Sequence, residues 1–272
     1  MTDADRNIEV MGIVNLTDDS YFADSRCHDL ASSLKRVEGM LAEGADIIDV
    51  GACSSRPGAR PVGKEQEWLR LEPFLRHVTQ SFPGIRISID TYWSEIVRKA
   101  YDLTGPFIVN DISAGEDDPQ MLPTVGSLGL QYVAMHKRGD SVNMQDMTDY
   151  QSVTDDVAAY FMQFSEKART NGINDWILDP GFGFAKTLEQ NYRLLRELDR
   201  FRSIRRADGT SPRILVGVSR KSMVYKKLGI TPEDALPATQ VIHLRALQGG
   251  ADILRVHDVA EARRTIELYR SL

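Results

Sequence analysis

The groups able to do chemistry in this chain recur at one kind of place, the end of a short apolar run. Asn15, Asp49, Asp90, Asn110 with Asp111, His136, Asp179, the triplet Ser219, Arg220 and Lys221, and Arg255 with His257 and Asp258 all close or follow such runs. They divide into two chemical sets. Asp90, Asn110, Asp179 and Lys221 supply carboxylate and amide acceptors plus one cation. That suits a flat heterocycle rich in N–H donors, because one carboxylate accepts two parallel N–H groups. Asn15, Ser54, Ser55, Arg56, Arg255 and His257 supply donors and positive charge, as a phosphate or diphosphate requires. Any one of these residues alone reads equally well as a helix cap or turn former, whereas a whole set at successive strand ends does not. Asp49 is the position expected to be structural, since Gly51 follows it and an Asx-type turn would use its carboxylate.

Two loops add to the pattern. The stretch SSRPGAR (54–60) is polar and contains Gly and Pro, which predicts a mobile loop. In Asp179-Pro-Gly-Phe-Gly-Phe a strand ends in a carboxylate, and two glycines let backbone and Phe rings approach a ligand closely. The sequence has no Gly-x-Ser-x-Gly elbow, no Walker-type loop and no His-Glu-x-x-His pair. The five histidines are scattered, so no zinc site is expected, and His77 and His243, inside helical stretches, are expected to be structural.

The elements that must carry these residues follow from hydrophobic spacing. Apolar runs at Met11–Val14, Ile47–Val50, Ile85–Ile89, Phe107–Val109, Tyr132–Met135, Trp176–Leu178, Ile214–Val216 and Ile253–Val256 read as parallel strands buried on both faces. Between them lie helix-period stripes such as Leu30, Leu34, Val37, Leu41 and Val259, Ala262, Ile266, Tyr269. Lys64–Ser81 carries a similar stripe, which Pro73 is expected to break or kink. Eight strand–helix units in 272 residues match a (β/α)8 TIM barrel, whose catalytic residues come from the carboxyl ends of the strands. A doubly wound sheet would more often carry a Gly-rich turn after its first strand, and this chain has Asn15-Leu-Thr-Asp-Asp-Ser there. No composition shift marks a second domain, so 1–272 is expected to be one barrel with residues 1–7 frayed.

Composition narrows the function class. Thirty-three Lys and Arg against 39 Asp and Glu give a net charge of −6, which argues against a general nucleic-acid binder. No apolar run reaches the length of a membrane span and the first residues are polar, so no membrane association is expected and the cytosol is the default compartment. Cys27 and Cys53 are too few for a disulfide scaffold.

With these residues in view, the sequence resembles the dihydropteroate synthase family of pterin-binding barrels. The resemblance runs from Met11 to about Val259. It is carried by MGIVNLTDDS (11–20), DVGACSSRPGA (49–59), SIDT (88–91), MHKRG…MQ (135–145), DPGFGF.KT (179–187) and GVSRKS (217–222), closed by RVHDV (255–259). Asp18 stands where the family usually has Pro, Ala52-Cys53 where it has Gly-Glu, Ser55 where it has Thr, Ser141 for Pro and Ala185 for Gly. Ser55 keeps the hydroxyl, and Cys53 removes a carboxylate.

The resemblance implies condensation of 6-hydroxymethyl-7,8-dihydropterin diphosphate with 4-aminobenzoate by a dissociative displacement. It implies a pterin site of Asp90, Asn110, Met135, Asp179, Phe184, Gly217 and Lys221, with Arg255 on the ring face. Asn15, Arg56, Arg255 and His257 would hold the diphosphate, with Mg2+ on Asn15. Ser55, Pro57, Phe184, Lys221 and Ser222 would surround the aminobenzoate. Arg56, Asp90, Lys221, Arg255 and His257 are thereby the catalytic candidates. The family is usually homodimeric through barrel helices and is a sulfonamide target.

Three alternatives compete. A related methyltransferase acting on methyltetrahydrofolate has no use for a diphosphate site, so Arg56 and the Arg255/His257 pair weigh against it. A non-catalytic pterin-binding paralogue has only Asp18 and Cys53 in its favour. A Schiff-base aldolase on Lys221 is disfavoured because an adjacent Arg and Ser in an exposed loop are not expected to desolvate the lysine.

Overall fold

Every apolar run becomes a strand in the computed structural model, which describes residues 6–16, 30–53, 62–139 and 143–272. The strands are β1 (Glu9–Asn15), β2 (Ile47–Gly51), β3 (Ile87–Asp90), β4 (Ile108–Asp111), β5 (Gln131–Met135), β6 (Trp176–Asp179), β7 (Arg213–Val216) and β8 (Ile253–Val256). They pair in parallel in chain order, and β1 closes on β8, Met11 lying opposite both Ile47 and Arg255. The helices α1 (Leu30–Ala42), α2 (Lys64–Ser81), α3 (Ser94–Thr104), α4 (Met121–Leu128), α5 (Val153–Thr170), α6 (Leu188–Arg196), α7 (Ser222–Leu228), α8 (Leu236–Gln248) and α9 (Val259–Arg270) alternate with them. The departure from one helix per strand lies between β7 and β8. There α7 stops at left-handed Gly229, and Pro237 in the first turn starts α8.

The period-two alternation of a strand decides what each residue faces. Outward residues such as Ile48, Val50, Val109, Leu178, Leu254 and Val256 pack under the helices in the large core. Inward residues Met11, Ile47, Ile108, Val133, Ile177, Leu215 and Ile253 form a separate apolar plug inside the barrel. Two residues further along the same strands, and therefore on the same inner face one level higher, stand Asp49, Asn110, Met135, Asp179, Gly217 and Arg255. On β3 the two levels are Ser88 and Asp90. The barrel is thus an apolar layer with a polar layer stacked on it toward the strands' carboxyl ends.

Two expectations change. Pro73 neither ends nor interrupts α2, which runs through it. The carbonyl it cannot bond belongs to exposed Leu69, while Leu71, Phe74, Leu75 and Val78 are buried against the barrel. Arg6 also falls inside the stretch expected to fray. Its guanidinium donates to Leu247 O and to Tyr269 Oη, both at 2.6 Å, and so ties the entering chain to α8 and α9. No helix among the described residues is long and apolar enough to cross a membrane.

Candidate active site at the barrel mouth

The polar layer is organised around Asp49. Fully buried, its carboxylate accepts from Ser88 Oγ at 2.6 Å, from Asn110 Nδ2 at 3.1 Å and from Arg255 Nε at 2.7 Å. Arg255 Nη2 lies 2.6 Å from the same carboxylate and 3.1 Å from Asp90 Oδ2. The sequence-based expectation of a turn-forming Asp49 is therefore wrong. The side chain points into the barrel, two residues above Ile47, where its carboxylate accepts from Ser88, Asn110 and Arg255. The same pattern, Ile-x-polar, recurs at Ile108-Val-Asn110, Ile177-Leu-Asp179 and Ile253-Leu-Arg255, and it could have revealed Asp49.

Asp49 also fixes its neighbours' chemistry. An acceptor-only carboxylate requires the amide nitrogen of Asn110 to face it, so the Asn110 oxygen is the atom left to accept. Burial pushes the Asp90 carboxyl above the usual carboxylate range, Arg255 pulls it back, and the charges of Asp49 and Glu67 raise it again. Asp179 is buried and also shifted upward by burial; one of its oxygens accepts from Gly181 N–H at 2.8 Å. Gly181 has φ +71°, and a Cβ there would stand 1.9 Å from the His136 carbonyl oxygen, so the turn after Asp179 requires glycine.

Lys221 precedes α7 at the end of the β7 loop. Its Nζ donates to Phe182 O at 2.8 Å and lies 4.8 Å from the centre of the Phe184 ring. Burial pushes its ammonium down to about 8, opposed by the charge of Asp179. The expectation that neighbouring Arg220 and an exposed loop keep Lys221 solvated fails. Arg220 turns away, pairing with both oxygens of Asp258 and donating to Pro232 O and Glu233 O. Ser222, Phe184 and Asn15 are half-buried, and Met135 and Gly217 are buried. A Cβ on Gly217 would stand 3.9 Å from both the Arg255 side chain and Lys221 Nζ, so its absence keeps the space between those cations open.

His257 departs from its expected role as a source of positive charge. Burial pushes its imidazole down to about 3. Ser219 Oγ accepts its backbone N–H at 3.2 Å and lies 3.0 Å from its Nδ1. With Ser219 donating to Nδ1, the ring proton resides on Nε2 and the neutral ring is a donor there. Asp111 is the bland case among the strand-end acids: Ser113 N and Oγ, Gly115 N and Tyr132 Oη saturate its carboxylate. Lys186 was missed from sequence. Buried, it donates to Gly181 O and Phe184 O at 3.0 Å and lies 3.0 Å from His136 Nδ1, pinning the loop that follows Asp179. Ser54, Ser55, Arg56 and Pro57, and Asp18 of the first loop, lie outside the described residues.

The described residues contain no group of three or more His, Cys, Asp or Glu arranged to hold a metal. A single amide oxygen at Asn15 fits Mg2+ only as one ligand beside substrate oxygens and water, the hard-oxygen set that this ion takes.

Comparison with known proteins agrees with this geometry. The model of the family described as pterin binding enzyme matches residues 11–257. The chain is 39% identical over 256 residues to the folic acid synthesis protein fol1 of Pneumocystis carinii, covering 93% of this chain and 34% of that protein, so it spans about a third of that longer relative. Against the dihydropteroate synthase of Escherichia coli K12 it is 38% identical over 264 residues, covering 96% of this chain and 89% of the relative. The crystal structure of Yersinia pestis dihydropteroate synthase with a sulfonamide drug superposes with a TM-score of 0.89 at 33% identity, over 97% of this chain and 93% of that one. The barrel, its inner polar layer and these matches together make the chain a member of the pterin-binding enzyme family.

Proposed function

We propose that the chain condenses 6-hydroxymethyl-7,8-dihydropterin diphosphate with 4-aminobenzoate, releasing 7,8-dihydropteroate and diphosphate, the activity named for its bacterial relatives. The observation that carries this reading is the inner polar layer. Asp90, Asp179 and the Asn110 oxygen offer acceptors to a donor-rich ring edge, Lys221 offers a donor, and Arg255 supplies a planar cation for a ring face. Met135, Phe184 and Gly217 complete the pterin pocket.

In the reaction the methylene C–O bond breaks with its electron pair going to the diphosphate. The electron-rich dihydropterin spreads the resulting positive charge, the arylamine nitrogen forms the new C–N bond, and its proton leaves to solvent. Such a step asks the protein for positioning and charge stabilisation more than for proton transfer. Arg56, Arg255 and the Nε2–H of neutral His257 serve the diphosphate, and Ser55, Pro57, Phe184, Lys221 and Ser222 hold the aminobenzoate. Asn15 would hold Mg2+, which when bound would supply charge neutralisation to the leaving group. Val241 on α8 and Leu268 on α9, each 67% exposed, support a homodimer through these helices. The low cysteine count fits a cytoplasmic location.

The test is direct. Purified protein is incubated with both substrates and Mg2+, and dihydropteroate is quantified. Product formation is expected. Tight pterin binding without product would overturn the reading in favour of a non-catalytic pterin-binding protein.

A further inference from the structure

We infer that Asp49 is a positioning residue: it is the fixed anchor that holds Arg255 and Asn110 in place while Asp90, the second carboxylate on Arg255, is free to exchange its arginine for substrate. This rests on the proposed function for its turnover readout only.

The two carboxylates differ in what surrounds them. Asp49 is 0% exposed and, among the described residues, each of its hydrogen-bond partners donates: Ser88 Oγ, Asn110 Nδ2, and Arg255 Nε and Nη2. Solvent does not reach it. Asp90 pairs in register with Gly51, two residues past Asp49; its side chain is 15% exposed, and it holds Arg255 by one contact of 3.1 Å. A ligand that takes the Asp90 oxygens therefore competes with that one bond. Against Asp49 it would have to break a two-nitrogen contact with an oxygen that water does not reach.

Both nitrogens of one guanidinium edge, Nε at 2.7 Å and Nη2 at 2.6 Å, meet a single Asp49 oxygen, Oδ2. That fixes the plane of the group as well as its location. Among the described residues Nη1 has no hydrogen-bond partner, so Asp49 also decides which nitrogen is presented to an anion. The other oxygen, Oδ1, receives Ser88 and Asn110. One carboxylate thereby links an amide on β4 to a guanidinium on β8, across the barrel from each other in chain order.

Asp49→Asn tests this, because it preserves shape while replacing one acceptor with a donor. Three variants are compared for turnover and for calorimetric binding of bare 6-hydroxymethylpterin: Asp49→Asn, Arg255→Lys, which keeps the charge and loses the two-nitrogen edge, and the double variant. Thermal unfolding is followed in each. The expected result is a turnover loss of about 100-fold for Asp49→Asn and a bare-pterin loss of about 10-fold acting through Asn110. In the Arg255→Lys background the same change is expected to cost turnover less than about 5-fold, because the edge it positions is gone.

Multiplicative losses in the double variant would overturn the inference, as would wild-type turnover in folded Asp49→Asn. If Asp49→Asn does not fold, Ser88→Ala removes one donor from the same carboxylate, and unchanged turnover there overturns the inference as well. Should the wild-type protein bind pterin yet form no product, the functional reading fails on its own. The pterin arm, with Asn110→Ala as the coupled partner, then still decides the role of Asp49: coupled losses uphold it and independent losses refute it.

Discussion

Replacing Asp179 by Asn should cost most of the pterin affinity and none of the fold. One Asp179 oxygen is committed to Gly181 N–H at 2.8 Å. In the variant the amide oxygen must keep that bond, since the amide nitrogen cannot accept, and the nitrogen is left facing the ligand. A ring N–H then meets a donor instead of a charged acceptor. A hydrogen bond to a charged group contributes about 1.5–3 kcal/mol, and leaving the ligand's donor unpaired adds to the loss, so about 3 kcal/mol is expected, or roughly 150-fold in Kd. A second effect has the same sign. Asp179 is the leading charge holding the Lys221 ammonium up at about 8, so without it more of Lys221 is neutral at physiological pH. Stability should move the other way. The Asp179 pKa is raised in the folded protein by burial, so its ionised form opposes folding at pH 7, and the neutral amide removes that cost. Calorimetric titration with 6-hydroxymethylpterin and thermal unfolding together check the reasoning. Affinity within about 3-fold of wild type in a folded variant would refute the contact, and a clear fall in Tm would refute the stability argument.

Bare-pterin affinity should fall about tenfold from its maximum by pH 9, because burial pushes the Lys221 ammonium down to about 8; titrations of Lys221→Met should lack that limb. His257→Ala should lower turnover by about 100-fold with little change in bare-pterin binding, as for loss of one donor to a leaving group. Since its ring is already neutral with a pKa of about 3, the wild-type rate should show no acid limb near 6.5 from this residue, and single-turnover kinetics across pH 5–8 decide it. His243 is fully buried, with Nδ1 beside Gln240 Oε1 and Nε2 without a partner, and its pKa falls to about 4. A histidine with a depressed folded pKa stabilises above its unfolded value near 6.5 and loses that contribution as pH falls toward 4. Denaturant unfolding should therefore show His243→Leu losing about 2 kcal/mol less than wild type between pH 7 and pH 5, and equal losses would contradict it.

The strands were legible because each is a short Ile/Val run with a functional group at its end, and all eight positions held within two or three residues. The helices were legible as stripes, but Pro73 does not break α2, since helix-breaking propensity ignores the burial of Leu71, Phe74, Leu75 and Val78 on either side of it. At the site, residue type and strand-end position were enough to pick out Asp90, Asn110, Lys221 and Arg255, which the fold brings into one barrel mouth with Asp179. Partners were not legible. Arg220 turned from Lys221 to Asp258; burial kept His257 neutral, with Ser219 against its Nδ1; and Asp49 gathered four donors from β3, β4 and β8. Each of these depends on which side chains meet across strands distant in sequence, and local spacing carries no such information. The calls on Arg56, Ser55 and Pro57 fall outside the described residues and rest on sequence.

The charge pattern that results favours a dissociative reaction on physical grounds. Along the inner layer stand three carboxyl groups, Asp49, Asp90 and Asp179, beside two basic side chains, Arg255 and Lys221, so the floor is rich in acceptors. Breaking a C–O bond above that floor creates a cation on the ring side and an anion on the diphosphate side. The floor stabilises the first, while the Nη1 of Arg255, without a hydrogen-bond partner among the described residues, is a donor for the second. Separated charge is thus favoured along the axis on which it develops, at little cost in reorganisation, because Asp49, above the plug of Met11, Ile47, Ile108, Val133, Ile177, Leu215 and Ile253, holds Arg255 and Asn110 before substrate arrives.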